Sequence, residues 1–200
     1  MYFQNDFRFI IVLILHTHMK IVIVGHGFVG KAVDASFKET VEKLVIDPKY
    51  GNDINDIKKF DADFAFISVP TPMRDDGQQD SSIALRVIEE IQKIQPRCKI
   101  VVKSTILPNF FDDLRNKEHL IYNPEFLREK SAVEDFINAK FHIFGGNRND
   151  CESASKLYKD YSKCLHNEHY FTDIKTASLI KYTINCCLLY TSPSPRDSCA

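Results

Sequence analysis

The sequence predicts an α/β fold in which helices cover a doubly wound parallel sheet. Short apolar runs rich in Val, Ile and Phe alternate with helix-like segments along the chain, as expected for strands buried on both faces of a sheet. No internal repeat or low-complexity tract interrupts this alternation. With 200 residues, the chain is long enough for one domain of about 150 residues with further segments at its ends.

Each predicted strand is a short apolar run, and the first of them leads directly into a glycine-rich turn. The strands are predicted at Lys20–Val24, Lys43–Ile46, Phe64–Ser68, Ile100–Lys103, His119–Tyr122 and Phe141–Phe144.

The predicted helices follow the strands and carry apolar residues at helical spacing. In the second helix, Leu85, Ile88 and Ile91 form a stripe opposite a charged side, as in an amphipathic covering helix. The helices are predicted at Val29–Phe37, Ser81–Ile94, Asn109–Arg115, Asp150–Tyr161 and Thr172–Cys187.

Charge and cysteine content exclude several classes of protein. The 26 Lys and Arg against 27 Asp and Glu leave a net charge of -1, which argues against a nucleic-acid partner. The six cysteines include no Cys-x-x-Cys pair and no histidine at zinc-finger spacing, so no metal site is expected. Reduced, scattered thiols favour a cytoplasmic protein.

The two ends of the chain do not follow the strand and helix pattern of the domain. We expect residues 1–18 to be an upstream extension, with translation starting at Met19; a targeting or interfacial segment and an added edge strand are the alternatives. The apolar run 9–15 is too short to span a membrane, so no membrane partner is expected. Pro193 and Pro195 cannot continue a helix, and residues 188–200 resemble a read-through tail; a natural flexible tail is the alternative.

A glycine motif follows the first strand and opens the first helix. In Gly25-His-Gly-Phe-Val-Gly30, Gly25 permits a tight turn, Gly27 lets a pyrophosphate approach, and Gly30 allows the helix to pack closely. Asp47 ends the second strand, where a carboxylate can bind both ribose hydroxyls and repel a 2′-phosphate. The sequence therefore predicts a Rossmann-like site for NAD rather than NADP.

Polar residues follow the next three strands and should share the rim where ligands bind. Thr71 lies between two prolines and could offer a hydroxyl, or the segment could be only a rigid turn. Thr105 could bind substrate, water or cofactor, or cap the next helix. Glu125 is a candidate general base or water-orienting group, or a solvated loop residue.

Several strings together resemble the UDP-glucose/GDP-mannose dehydrogenase family, whose members oxidise the C6 alcohol of a nucleotide sugar to a carboxylate with two NAD. The resemblance covers residues 19–187. Its carriers are the glycine motif, Val69-Pro-Thr-Pro72 with the residues through Asp80, Lys103-Ser-Thr105, Asn123-Pro-Glu-Phe-Leu-Arg-Glu129 with the residues through Phe136, and Lys181-Tyr-Thr-Ile-Asn185.

The resemblance implies a role for each matching position. It implies cofactor contacts at Gly25, His26, Gly27, Phe28, Val29, Gly30, Asp47, Val69, Pro70, Thr71, Thr105 and Glu129. It implies nucleotide-sugar contacts at Glu125, Phe126, Leu127, Arg128, Glu129, Lys181 and Asn185. The implied catalytic set is Glu125, Thr105, Lys181 and Asn185, in which Lys181 and Asn185 lie four residues apart on one helix and stabilise an oxyanion. Without the resemblance, Lys181 and Asn185 would be a solvated helix face.

The chain departs from the family pattern in several places. The stretch from Asp47 to Asp63 is shorter than usual, and the family's Cys-Phe-Pro-Lys-Asp motif with its nucleophilic cysteine is absent. Cys186 and Cys187 are interpreted as packing residues.

The sequence thus predicts an NAD-binding domain at residues 19–171 and the start of a central dimerisation helix at 172–187. The predicted function is the NAD-binding part of a cytoplasmic, homodimeric nucleotide-sugar 6-dehydrogenase, with UDP-glucose favoured and no activity of this chain alone. The alternatives are a non-catalytic dinucleotide- or nucleotide-sugar-binding module and a partner subunit.

Overall fold

A computed structural model of the chain describes residues 19–164 and 167–191, with side chains described as far as residue 187. The described residues form a seven-stranded sheet with helices on both faces. The expectations for residues 1–18 and for tail residues 192–200 fall outside the described part of the chain.

Strands and helices alternate along the chain. The strands are β1 (Lys20–Val24), β2 (Glu42–Ile46), β3 (Phe64–Ile67), β4 (Lys99–Val102), β5 (Leu120–Tyr122), β6 (Phe141–Gly146) and β7 (Glu168–Thr172). The helices are α1 (Phe28–Ser36), α2 (Ser82–Ile94), α3 (Phe110–Asp113), α4 (Ala132–Ile137), α5 (Arg148–Tyr161) and α6 (Ile174–Thr191). Short 3₁₀ helices lie at Pro48–Tyr50, Ile54–Lys59 and Glu129–Ser131.

The strand order β2-β1-β3-β4-β5-β6-β7 makes the gap between β1 and β3 a topological switch point. Strands β1 to β5 are mutually parallel, whereas β6 is antiparallel to β5 and parallel to β7. In open α/β sheets, ligands bind outside the carboxyl ends of the strands at such a point. The reversal of β6 brings its first residues to this same edge.

The sheet separates two apolar layers. Alternating residues of β1 show the division, because Ile21 and Ile23 pack with Phe66 and Tyr158 in one cluster while Val22 and Val24 belong to the other. All four residues of β1 named here are at most 5% exposed. Burial on both faces explains why this strand is a continuous aliphatic run rather than an alternating one.

The structure confirms the α/β class and corrects several details. Strand β7 and helix α4 are absent from the predicted elements, because β7 is a half-exposed edge strand with polar residues and α4 has only six residues. The sheet is not wholly parallel, since β6 reverses. The last helix begins at Ile174 rather than Thr172, which ends β7, and its backbone continues to Thr191.

The described residues lack both a membrane-spanning helix and a cluster of metal ligands. No helix among them is long and apolar enough to cross a membrane. In the same part of the chain, no three His, Cys, Asp or Glu side chains gather as a metal site would require.

Candidate active site: a dinucleotide cleft with a buried Glu–Lys pair

The glycine motif forms the turn between β1 and α1, and its three glycines meet different demands. Gly25 has φ +86°, and a Cβ there would lie 2.5 Å from the Ser68 carbonyl oxygen. A Cβ on Gly30 would overlap the Gly25 carbonyl oxygen, so the helix packs directly on the turn. At Gly27 a Cβ would meet nothing within 4 Å. The space in front of Gly27 is therefore open at a helix N-terminus, where N–H groups favour an anion.

Asp47 directly follows β2 and lies beside this turn. Its Oδ2 accepts the His26 N–H at 2.6 Å, and its Oδ1 accepts the Lys49 N–H at 3.1 Å. Burial acts to raise the pKa of Asp47, but these hydrogen bonds and the nearby Lys49 ammonium outweigh it and lower the pKa below its usual value. The carboxylate is thus held ionised with lone pairs left for ribose hydroxyls.

Two adjoining cavities share Gly25, Asp47, Val69 and Pro70 and together form one cleft across the switch point. The cavity of about 580 Å³ is also lined by Asn52 and Ile54, which belong to the short connection between β2 and β3. This connection therefore forms one wall of the cleft although it is shorter than is usual in the family. The other cavity, of about 460 Å³, extends to the loops that follow β3, β4 and β5, which form the far rim of the cleft. Its additional lining residues include Gly27, Phe28, Val29, Lys49, Thr71, Lys103, Ser104, Thr105 and Glu125.

The loops after β3 and β4 are tied together at the far rim. The Thr71 hydroxyl donates to the Thr105 carbonyl at 2.9 Å, and the Ser104 hydroxyl donates to the Val69 carbonyl at 2.7 Å. Thr105 does not cap the following helix, because the residue at the α3 N-cap is Asn109. The interpretation of Thr105 as an N-cap is therefore wrong, and its side chain lines the cleft.

Glu125 and Lys181 form a buried ion pair at the end of the cleft. The Lys181 Nζ lies 3.2 Å from Glu125 Oε1 and also donates to the Glu125 carbonyl. The Leu127 N–H donates to Glu125 Oε2 at 2.6 Å. Glu125 is 9% exposed and Lys181 is 4% exposed. A solvated loop or helix face is therefore the wrong interpretation for either residue.

Lys103 is a buried lysine beside this pair for which the sequence suggested no role. Its side chain is fully buried, and its Nζ lies 2.9 Å from Asn123 Oδ1 and 5.1 Å from the centre of the Phe136 ring. Asn123 Oδ1 also accepts the Tyr158 hydroxyl at 2.7 Å. Burial lowers the pKa of Lys103 to about 7, although Glu125 acts in the opposite direction. The sequence feature that could have indicated a site residue here is the position of this lysine at the carboxyl end of a buried strand.

The lowered pKa of Lys103 predicts a specific pH dependence of stability. Between pH 7 and the ordinary lysine pKa of 10.5, the unfolded chain binds more protons than the folded one, so stability rises with pH. Raising the pH from 7 to 9 should increase the free energy of unfolding by about 2 kcal/mol relative to Lys103→Met. Chemical denaturation of both proteins at each pH measures this difference, and parallel pH curves would contradict it.

Several predicted residues lie outside the cleft. The His26 ring is held between the Tyr50 hydroxyl and Asp34, so only its N–H serves the site, through Asp47. Gly30 serves packing. Glu129 is exposed in a 3₁₀ turn, and the exposed Arg128 is paired with Asp135 at 2.7 Å.

The remaining predicted residues lie around the Glu125 loop and on α6. The Phe126 ring lies beneath the Lys181 ammonium at 5.1 Å, and Leu127 packs on the core. Asn185, one turn beyond Lys181, is exposed and makes no hydrogen bond to Glu125 in the described part of the chain. Cys186 and Cys187, interpreted as packing residues, are exposed in the described structure.

The cleft fits a dinucleotide. A helix N-terminus with open space at Gly27 suits a pyrophosphate, the ionised Asp47 suits a ribose, and the far rim offers an acid and a hydroxyl for chemistry. The fold and site together define the nucleotide-binding domain of a nicotinamide-dependent dehydrogenase.

Comparison with known proteins gives the family. Residues 35–162 match the model of the UDP-glucose/GDP-mannose dehydrogenase family, NAD binding domain. The UDP-glucose 6-dehydrogenase of Rickettsia bellii is 39% identical over 130 residues, 60% of this chain and 30% of that protein. The enzyme of the same name from Rickettsia felis is 33% identical over 165 residues, 76% of this chain and 35% of that protein.

Solved structures agree on the fold. A UDP-glucose dehydrogenase from Pyrobaculum islandicum superimposes with a TM-score of 0.70 at 21% identity, covering 87% of this chain and 51% of that one. The GDP-mannose dehydrogenase of Pseudomonas aeruginosa gives 0.68 at 22% identity, covering 86% and 50%. The chain belongs to the UDP-glucose/GDP-mannose dehydrogenase family and carries its NAD-binding domain. It spans about a third of the Rickettsia proteins' length.

Proposed function

We propose that this chain is the NAD-binding part of a nucleotide-sugar 6-dehydrogenase whose substrate is UDP-glucose. The observation that carries the proposal is the buried Glu125–Lys181 pair at the wall of the cofactor cleft. In the proposed complex, the pair would provide a carboxylate that can accept a proton and a cation that can stabilise negative charge on oxygen. The relatives named UDP-glucose 6-dehydrogenase support this choice of substrate.

Oxidation of an alcohol requires a hydride acceptor and a base. Gly27 and Asp47 would hold NAD in the cleft, and the bound cofactor would supply the hydride acceptor for C6 of the sugar. The proton of the C6 hydroxyl then needs an acceptor, and Glu125 is the candidate because its carboxylate lines the cleft near Thr105. Lys181 and the Leu127 N–H fix its two oxygens, which would orient it toward substrate or a water held with Thr105.

Lys181 and Asn185 are proposed to stabilise negative charge that develops on the C6 oxygen. Lys181 supplies a positive charge at a buried position, and Asn185 supplies an amide donor one helical turn away. Because Asn185 is exposed in the described structure, this role requires a substrate bound against that side of α6.

The second oxidation needs a thiolate to trap the aldehyde, and the buried Cys98 and Cys151 are poorly suited to supply it. Burial raises the pKa of Cys98 to about 12 and that of Cys151 to about 11. A thiol with so high a pKa is a weak nucleophile at neutral pH. Because the sequence also lacks the Cys-Phe-Pro-Lys-Asp motif of the family, we infer that this chain alone binds the cofactor without completing the reaction.

The intact enzyme is proposed to be a cytoplasmic homodimer that pairs through the helix beginning at Ile174. The unbridged buried thiols of Cys98, Cys151 and Cys164 suit a reducing compartment. The exposed Leu179 and Cys186 on α6 offer a surface for pairing.

Assays of NADH formation and uronate production test the proposal. Incubated with NAD and UDP-glucose, the 200-residue chain should give no sustained uronate, whereas the full-length product of the gene should reduce two NAD per UDP-glucose. Sustained uronate production by the 200-residue chain would contradict the inference that it is only part of the enzyme. A full-length product that oxidises GDP-mannose or UDP-N-acetylmannosamine but not UDP-glucose would contradict the substrate.

A further inference from the structure

The side chain of Gln79 occupies an unusual position, because it contacts three separate elements around the far rim of the cleft. Its Nε2 donates to the Thr105 carbonyl at 2.9 Å and to the Tyr182 hydroxyl at 3.1 Å. Its Oε1 accepts the Leu107 N–H at 3.1 Å. One half-buried amide thus joins the segment after β3, the loop after β4 and helix α6.

The orientation of the Gln79 amide is fixed by its backbone partners. The Thr105 carbonyl can only accept and the Leu107 N–H can only donate, so exchanging the amide oxygen and nitrogen would lose both bonds. The Thr105 carbonyl also accepts the Thr71 hydroxyl, so Gln79 completes the hydrogen bonding of the group that links the two loops. A side chain lacking an amide cannot make both contacts.

Tyr182 and Lys181 are adjacent on α6 and contact two different loops of the cleft. Lys181 binds Glu125, on the loop after β5, while Tyr182 binds Gln79 and through it the Thr105 loop. Successive helical residues point about 100° apart, so one turn of α6 can brace two loops at once. This turn of the helix therefore contacts both the loop that carries Glu125 and, through Gln79, the loop that carries Thr105.

We propose that Gln79 is a positioning residue that fixes the hydride-transfer end of the cleft by bracing the Thr71 and Thr105 loops against Tyr182 of α6. The inference rests on the proposed function, because Thr105 and Glu125 mark that end of the cleft there. The adenosine end, at Asp47 and Ile54, shares no hydrogen bond with Gln79.

Comparing NADH with ADP separates the two ends of the cleft. In calorimetric titrations, Gln79→Ala should bind NADH about fivefold to tenfold more weakly than the unaltered chain, because hydrogen bonds that hold the Thr105 loop are lost. ADP, which contains only the adenosine half, should bind both proteins equally. Gln78→Ala is the matched control, since the neighbouring Gln78 is exposed.

Two further variants test the mechanism of positioning. Gln79→Glu keeps an acceptor for Leu107 but faces the Thr105 carbonyl with a second oxygen, so its NADH affinity should fall at least as far as that of Gln79→Ala. Tyr182→Phe should weaken NADH binding by the unaltered chain but should not weaken it further in Gln79→Ala. Both substitutions remove the same hydrogen bond between Gln79 and Tyr182, so their effects should not add.

The outcomes distinguish this inference from the proposed function. Equal NADH affinity in Gln79→Ala, or equal losses for NADH and ADP, would overturn the positioning role. An unaltered chain that binds neither NADH nor ADP would overturn the cofactor site and this inference with it.

Discussion

Replacing Gly30 with alanine is expected to unfold or severely destabilise the protein. The added Cβ would overlap the backbone carbonyl oxygen of Gly25, which cannot rotate away as a flexible side chain can. Overpacking typically costs about 1–3 kcal/mol and occasionally more, and a clash with rigid backbone belongs at the upper end of that range. Such a loss is a large part of the roughly 5–15 kcal/mol that stabilises a typical domain. Denaturant unfolding followed by circular dichroism measures the loss.

Gly27→Ala is the matched control within the same motif. A Cβ at Gly27 meets no atom within 4 Å, so the free energy of unfolding should change by less than about 1 kcal/mol. NADH binding should nevertheless fall at least tenfold, because the methyl group enters the open space proposed for the pyrophosphate. Equal stability of the two variants, or unchanged NADH binding by Gly27→Ala, would contradict the assigned roles of these glycines.

Glu125→Ala should cause a second large effect, through the charge that it leaves behind. Lys181 is 4% exposed and would keep only the main-chain carbonyl of residue 125 as an acceptor. Removing one partner of a buried ion pair costs about 3–5 kcal/mol. Glu125 also opposes the lowering of the Lys103 pKa, so its loss should favour the neutral form of that lysine. Chemical denaturation measures the loss of stability.

The matched controls separate charge from packing. Glu129→Ala removes an exposed acid from the same loop and should change stability by no more than about 0.5 kcal/mol. Adding Lys181→Met to Glu125→Ala should recover part of the loss, since the buried charge is then removed. A loss below about 1 kcal/mol in Glu125→Ala would contradict a buried, paired state for these residues.

The parts of the fold that depend on local sequence were predictable. The turn from Gly25 to Gly30 imposes its own conformation, and the aliphatic run of β1 reports burial on both faces. The direction of β6 was not predictable, because an apolar run carries no information about whether its neighbour runs parallel or antiparallel. The polar edge strand β7 likewise lacks an alternating pattern strong enough to reveal it.

The candidate site divides in the same way. Asp47 and Glu125 were accessible from the sequence because each follows a strand end, where ligands of such sheets gather. The contacts of Gln79 with Tyr182 join residues 103 positions apart, and those of Lys103 with Asn123 join neighbouring strands. Such contacts arise only when the sheet and α6 come together, so spacing along the chain could not reveal them.

A titration of the chain with NADH, followed by fluorescence, tests the central claim that the cleft at the switch point is a site for NAD. We expect saturable NADH binding that ADP displaces, and weaker binding of NADPH because Asp47 repels its 2′-phosphate. In Asp47→Asn the difference in affinity between NADH and NADPH should be smaller. Absence of saturable NADH binding, or NADPH binding as tight as NADH, would contradict the claim.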